Sequence, residues 1–180
     1  MNTRNLLVWP LVLLAIAAAG YYRLLPPRLT HAPDISLLSV DGEELELPAY
    51  RGRPVLVTFW STTCPSCVRE IPHLSELYRD LAPQGLEIIG IATAYDPPNR
   101  VLEMRESRDI PYPVALDIHA DAAHAFGNVR VTPTSFLIAP DGRVVLSRIG
   151  RLNMTGLRRE ILAMIATQMD SITESSLSDP

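Results

Sequence analysis

The 180-residue chain contains no lysine; all sixteen of its basic residues are arginine. A lysine-based mechanism is therefore excluded. Cysteine is almost as scarce. The only two, Cys64 and Cys67, sit in a single C-x-x-C, so no structural disulfide framework exists. Any disulfide they form must be exchanged with another molecule. A strong positive charge is missing too: the net charge is −4, which leaves no electrostatic case for nucleic acid binding. There is no G-x-S-x-G, no glycine-rich phosphate loop and no internal repeat.

What is present centres on one stretch, Phe59-Trp60-Ser61-Thr62-Thr63-Cys64-Pro65-Ser66-Cys67, with Glu70 one helical turn on. A β-branched apolar run from Val55 to Trp60 precedes the cysteines. Val68, Ile71, Leu74, Leu77, Tyr78 and Leu81 follow at helical spacing. The pattern predicts strand, short loop, helix, with the cysteines at the helix start. Pro65 suits the first helical position, where its missing N–H is not needed. Cys64 then falls near the N-cap, facing unpaired N–H groups and the positive end of the helix dipole. That favours the thiolate, the nucleophilic form. Cys67 lies deeper and reads as the resolving thiol, and the spacing lets the two sulfurs close a small ring. At 47% hydrophobic residues the chain can bury a proper core, and its length suits one domain plus a leader.

These residues resemble the thioredoxin superfamily, and within it the membrane-anchored TlpA/ResA/DsbE-type thiol:disulfide reductases. The subgroup pattern F-W-x-x-W-C-x-x-C-x-x-E-x-P is matched at Phe59, Trp60, Cys64, Cys67, Glu70 and Pro72. It is broken at Thr63, where tryptophan is usual, which leaves the cysteines less covered. Thr58 stands where thioredoxins carry a buried Asp, and without lysine their Asp–Lys pair cannot form. The resemblance covers about residues 34–166. It implies a thioredoxin-like α/β fold, three-layer α/β/α around a central mixed sheet. An N-terminal β-hairpin and a TlpA-type helix-strand insertion over residues 96–126 are implied as well. It also implies a cis proline at Pro133, beside the cysteines, leaving the Thr132 backbone free to pair with an extended substrate. Trp60, Thr132 and Pro133 are the expected client-contacting positions. No cofactor and no metal are expected. The implied partners are disulfide-bearing client proteins and a membrane thiol donor of the DsbD or CcdA kind, and the chain is expected to act as a monomer.

In chain order, residues 1–25 read as a signal anchor or a cleaved signal peptide. The uncharged run Leu6–Tyr22 would span ~25 Å as a helix, and Ala17-Ala18-Ala19 offers an A-x-A cleavage site. Both readings place the domain on the oxidising, periplasmic side, held at the inner membrane through residues 6–25 or free in the periplasm. Residues 26–33 are a proline-rich linker, 34–170 the domain, and 171–180 a polar, disordered tail. Asp41-Gly42 and Asp141-Gly142 mark hairpin turns. Pro72 should kink the helix that follows the cysteines. Leu86–Thr93 reads as a buried strand, Val101–Arg108 as a helix and Val114–Asp117 as a strand. A helical turn to Phe126 is capped by Asp121, and the closing helix carries Leu157, Ile161, Met164 and Ile165. Alternation of this kind argues for α/β architecture.

The chemistry read from the motif is dithiol exchange. The Cys64 thiolate attacks a disulfide, and Cys67 resolves the mixed disulfide. Glu70, three residues from Cys67 on one helix face, is placed to take the Cys67 proton if shielding raises its pKa. The competing reading makes Glu70 a solvent-facing residue beside Arg69 or His73, and His73 itself reads as a surface residue. Pro65-Ser66 carries no cation, which argues for a reductant or mild exchanger. Two other functional classes find partial matches in the sequence. Cys64, Cys67, His119 and His124 have local zinc-ligand spacings, but the pairs lie too far apart in sequence for a finger. A peroxiredoxin-like peroxidase needs P-x-x-x-[TS]-x-x-C; Ser61 fits, but Val57 stands where proline is needed.

Overall fold

The computed structural model describes residues 29–177. The expected leader over 1–25 lies outside them, and among the described residues no helix is long and apolar enough to cross a membrane. Among the described residues seven strands form one mixed sheet, in the order β2 (Glu44–Glu46), β1 (Ser36–Ser39), β5 (Val114–Leu116), β4 (Glu87–Ala92), β3 (Val55–Trp60), β6 (Thr134–Ile138), β7 (Val144–Ile149). At its centre is β3 (Val55–Trp60), whose six residues are all buried. It pairs in parallel with β4 (Glu87–Ala92) and antiparallel with β6 (Thr134–Ile138).

Alternation along β3 builds two cores. Leu56 and Trp60 face one layer, which holds Ile71, Leu74, Leu77 and Leu81 of α1 (Pro65–Leu81) and Leu157, Ile161 and Ile165 of α4 (Met154–Leu177). Val55, Val57 and Phe59 face the other, with Phe126 and Phe136. The three phenylalanine rings meet at centroid distances of 4.9–6.1 Å. Thr58 shares the first face by alternation, and its hydroxyl lies 3.0 Å from that of its cross-strand partner Ser135. A buried polar pair thus satisfies itself where thioredoxins hold an Asp.

The expected N-terminal hairpin is present as β1 (Ser36–Ser39) and β2 (Glu44–Glu46), turning at Gly42 with φ +83°. Between β4 and β6 come α2 (Pro98–Ser107), β5 (Val114–Leu116) and the short α3 (Asp121–Ala125). The second hairpin joins β6 to β7 (Val144–Ile149). Pro72 lies inside α1, where it removes one ladder bond without ending the helix.

Three expectations are corrected. The carboxylate that receives the free N–H groups at the start of α3 belongs to Asp117, not Asp121. Ala122 and Ala123 each donate to it at 2.9 Å, because the left-handed Ala120 (φ +61°) folds the preceding turn back over the helix end. The stretch read as a linker is already bound at Thr30. Its carbonyl accepts from Val144, and Ala32 donates to Gly142, both at 2.9 Å, so residues 30–32 lie against the start of β7. The stretch read as a disordered tail is helical as far as Leu177. After Gly156 no glycine or proline interrupts the chain before Pro180, and nothing else in that sequence forces a stop.

Candidate active site

The cysteines stand where β3 hands the chain to α1. Cys64 is the N-cap residue, extended at φ −91°, and Pro65 opens the helix. The Cys67 N–H donates to Cys64 Sγ at 3.3 Å. The two sulfurs are joined as a disulfide, with the Cα atoms 5.3 Å apart. Cys64 is half-buried and Cys67 only 3% exposed, so an incoming sulfur meets Cys64 first. On reduction, the helix N-terminus and the Cys67 N–H favour the charged form of Cys64. The Ser66 hydroxyl lies 3.2 Å from the same sulfur.

The second wall comes from the segment before β6. The Thr132–Pro133 peptide is cis, and the Thr132 carbonyl oxygen lies 3.6 Å from Cys64 Sγ. Thr132 is half-buried and Pro133 buried. Trp60, expected to touch a client, is instead 4% exposed and packs in the core. Gly90 makes the room: a Cβ there would stand 3.2 Å from the indole nitrogen and 3.1 Å from the Tyr112 ring. Trp60 therefore supports the site from beneath.

Glu70 is buried at 4% exposure, which removes the solvent-facing reading. Its Oε1 accepts the Leu152 N–H at 2.8 Å. Burial pushes its carboxyl above the usual range, while the Leu152 N–H and the charges of Arg151 and His73 pull it partly back. His73 is exposed, as read from the sequence.

Two residues escaped the sequence reading, both in the loop after β4. The Asp96 carboxylate, 6% exposed, accepts from the Thr62 N–H and the Thr62 hydroxyl, each at 2.6 Å. It clamps the approach to Cys64. Tyr95, beside it, places its phenol 3.5 Å from Thr132 Oγ1. The signal was the parallel pairing of two apolar runs, which brings their C-terminal ends together. His119 and His124 do not join the cysteines; His124 Nδ1 lies 2.7 Å from Asn128 Oδ1. Among the described residues no group of three or more His, Cys, Asp or Glu converges to hold a metal.

Comparison with known proteins agrees with this geometry. Residues 29–147 match the AhpC/TSA family. The thiol-disulfide oxidoreductase ResA of Geobacillus thermodenitrificans is 32% identical over 130 residues, covering 72% of this chain and 74% of that protein. ResA of Geobacillus kaustophilus is 33% identical over the same shares. A thiol:disulfide interchange protein of the thioredoxin family from Chlorobium tepidum superposes with a TM-score of 0.69. It is 28% identical, and the match covers 77% of this chain and 97% of that one.

The Glu70 carboxyl sets a pH dependence of stability. Its folded pKa lies above the unfolded value, so the native state holds this proton more tightly. Stability falls as pH rises from the ordinary carboxyl range through the raised value, then levels off. Glu70→Gln keeps an oxygen for the Leu152 N–H and cannot ionise. In the oxidised protein its urea midpoint should gain on the parent as pH rises above the ordinary carboxyl range. A difference that stays flat over that rise contradicts the assignment.

Proposed function

Because the chain belongs to the AhpC/TSA family, of thioredoxin fold, we propose that its thiol-disulfide oxidoreductase activity runs as the reduction of client disulfides outside the cytoplasm. The exchange activity itself is that of its ResA relatives. The observation that carries the assignment of roles is the asymmetry of the dithiol. Cys64 is approachable and faces the helix mouth, while Cys67 is buried behind it.

In the reduced protein the Cys64 thiolate attacks one sulfur of a client disulfide. A Cys64–client bond forms, the client S–S bond breaks, and the departing client thiolate takes a proton from water. Cys67 then gives its proton to Glu70, directly or through water, and its thiolate attacks Cys64 Sγ. The Cys64–Cys67 bond forms and the second client thiolate leaves. Two electrons have passed from the dithiol to the client. The Thr132 backbone and Pro133 receive the extended client segment beside Cys64, in the manner of strand addition. A carboxyl with a raised pKa accepts and returns a proton near neutrality more readily than an exposed one.

The reductive direction is supported by the absence of a cation between the cysteines; only Ser66 Oγ reaches the Cys64 sulfur from that segment. In this reading the leader, as membrane anchor or signal peptide, puts the domain on the periplasmic side. A membrane thiol donor of the DsbD or CcdA kind re-reduces it there. Residues 96–126, as a TlpA-type insertion, shape client choice. The clients are cell-envelope proteins such as apocytochrome c or metal-site assembly proteins.

Trapping tests the roles of the sulfurs. Cys67→Ala should accumulate a mixed disulfide through Cys64 with its client, visible on non-reducing gels and absent from Cys64→Ala. Trapping through Cys64→Ala instead would reverse the assignment. For direction, the reduction potential should lie nearer about −270 mV than about −120 mV; a value at the oxidising end overturns the reductant reading. For Glu70, Glu70→Gln should slow release of reduced client from the mixed disulfide about a hundredfold at neutral pH. The deficit should shrink as pH approaches the pKa of Cys67 itself. A deficit constant with pH removes Glu70 from the proton path.

A further inference from the structure

Tyr95 is 64% exposed on the loop leaving β4, yet its phenol is tied down. Its oxygen lies 3.5 Å from Thr132 Oγ1. Partial burial pushes the phenol up; hydrogen bonding, with Thr132 foremost, outweighs it and holds the group below its ordinary value. The hydroxyl end is therefore held to the Thr132 loop that borders the nucleophile. The carbonyl of the same Thr132 lies 3.6 Å from Cys64 Sγ. The next residue, Asp96, clamps Thr62 through two short hydrogen bonds, so the loop is held against the site. The ring is left facing solvent.

Thr63, directly before Cys64, offers no aromatic cover. It is exposed, and its hydroxyl is engaged with Ser61 at 3.0 Å. Val131, 54% exposed, precedes Thr132 in the chain. Exposed apolar surface beside the nucleophile thus comes from Pro65 inside the motif and from Val131 and Tyr95 outside it. A fixed aromatic side chain loses little conformational freedom when a partner packs on it, so contact there is efficient.

We propose that Tyr95 is a specificity-determining residue, whose ring packs against an apolar or aromatic side chain next to the client cysteine under attack. The preferred clients are disulfides with such a flanking residue. This rests on the exchange reading above.

The test uses the full chain, reduced, and two cyclic peptide disulfides that differ only in carrying Phe or Asp beside the cysteines. The second-order rate constant for oxidation of the protein by each is measured for the parent, Tyr95→Ala and Tyr95→Phe. The parent should favour the Phe peptide by about tenfold. Tyr95→Ala should lose that preference, and Tyr95→Phe, which keeps the ring without its hydroxyl anchor, should keep most of it. The proposal is overturned if Tyr95→Ala slows both peptides by the same factor, or if Tyr95→Phe behaves like Tyr95→Ala. A parent that reacts equally with both peptides overturns this inference alone. A parent that opens neither peptide nor bis(2-hydroxyethyl) disulfide overturns the exchange reading, and this inference with it.

Discussion

The Cys67 N–H points at the Cys64 sulfur across 3.3 Å, and that alignment holds only while α1 stays docked at the end of β3. Magnitudes show what does the holding. A charge at a helix N-terminus gains about 0.3–1 kcal/mol. Burying Ile71, Leu74, Leu77 and Leu81 of the same helix contributes about 1.5–3 kcal/mol each. Packing therefore fixes the helix, and the dipole acts on whatever the packing presents to it. Proline at the first helical position adds a preset φ and withholds no needed donor. Pro72, further in, costs one ladder bond that the buried face around it outweighs.

Glu70 occupies the same helix under a different balance. The favourable field of a helix start fades within the first turn, so a carboxyl there gains little from it. Desolvation then dominates, and the Leu152 N–H with the Arg151 and His73 charges only moderates it. One helix end thus presents two groups with opposite tendencies. A sulfur at the mouth is stabilised as an anion, and a carboxyl one turn behind the second cysteine is biased toward its protonated form. In the exchange proposed above, that difference in environment, more than the residue types, separates the nucleophile from the proton acceptor.

The parts legible in the sequence were those with short-range causes. The buried run of β3, the apolar period of α1, the cap at Cys64, the Pro65 start and both Asp-Gly turns follow from neighbouring residues. The burial of Glu70 was open on spacing alone, since it depends on Leu152, 82 positions away. Asp96 and Tyr95 read as ordinary loop, because their partners Thr62 and Thr132 lie 34 and 37 positions away. Trp60 misled for a related reason. An aromatic residue next to a reactive motif invites a surface role, but strand alternation turns it inward. Only Gly90 on the neighbouring strand, two residues from the partner of Trp60, explains how the indole fits. Asp117 was missed in favour of Asp121 because a left-handed residue at Ala120 is not an obvious choice for that conformation.

Topology accounts for the company Cys64 keeps. β4 runs parallel to β3, so the two strands end together, and whatever follows β4 must lie beside whatever follows β3. β6 runs antiparallel on the other side, so its start meets the end of β3. Asp96 and Tyr95 therefore arrive from one flank and Thr132 and Pro133 from the other, without any of them belonging to the motif. Neither flank supplies the cysteines or the helix that activates them. Substitutions in these loops are thus free to alter which disulfide fits against Cys64 while the sulfur keeps its helix and its N–H. On the proposed exchange reading, the redox chemistry of this architecture is set by local sequence, and the choice of partner by strand order.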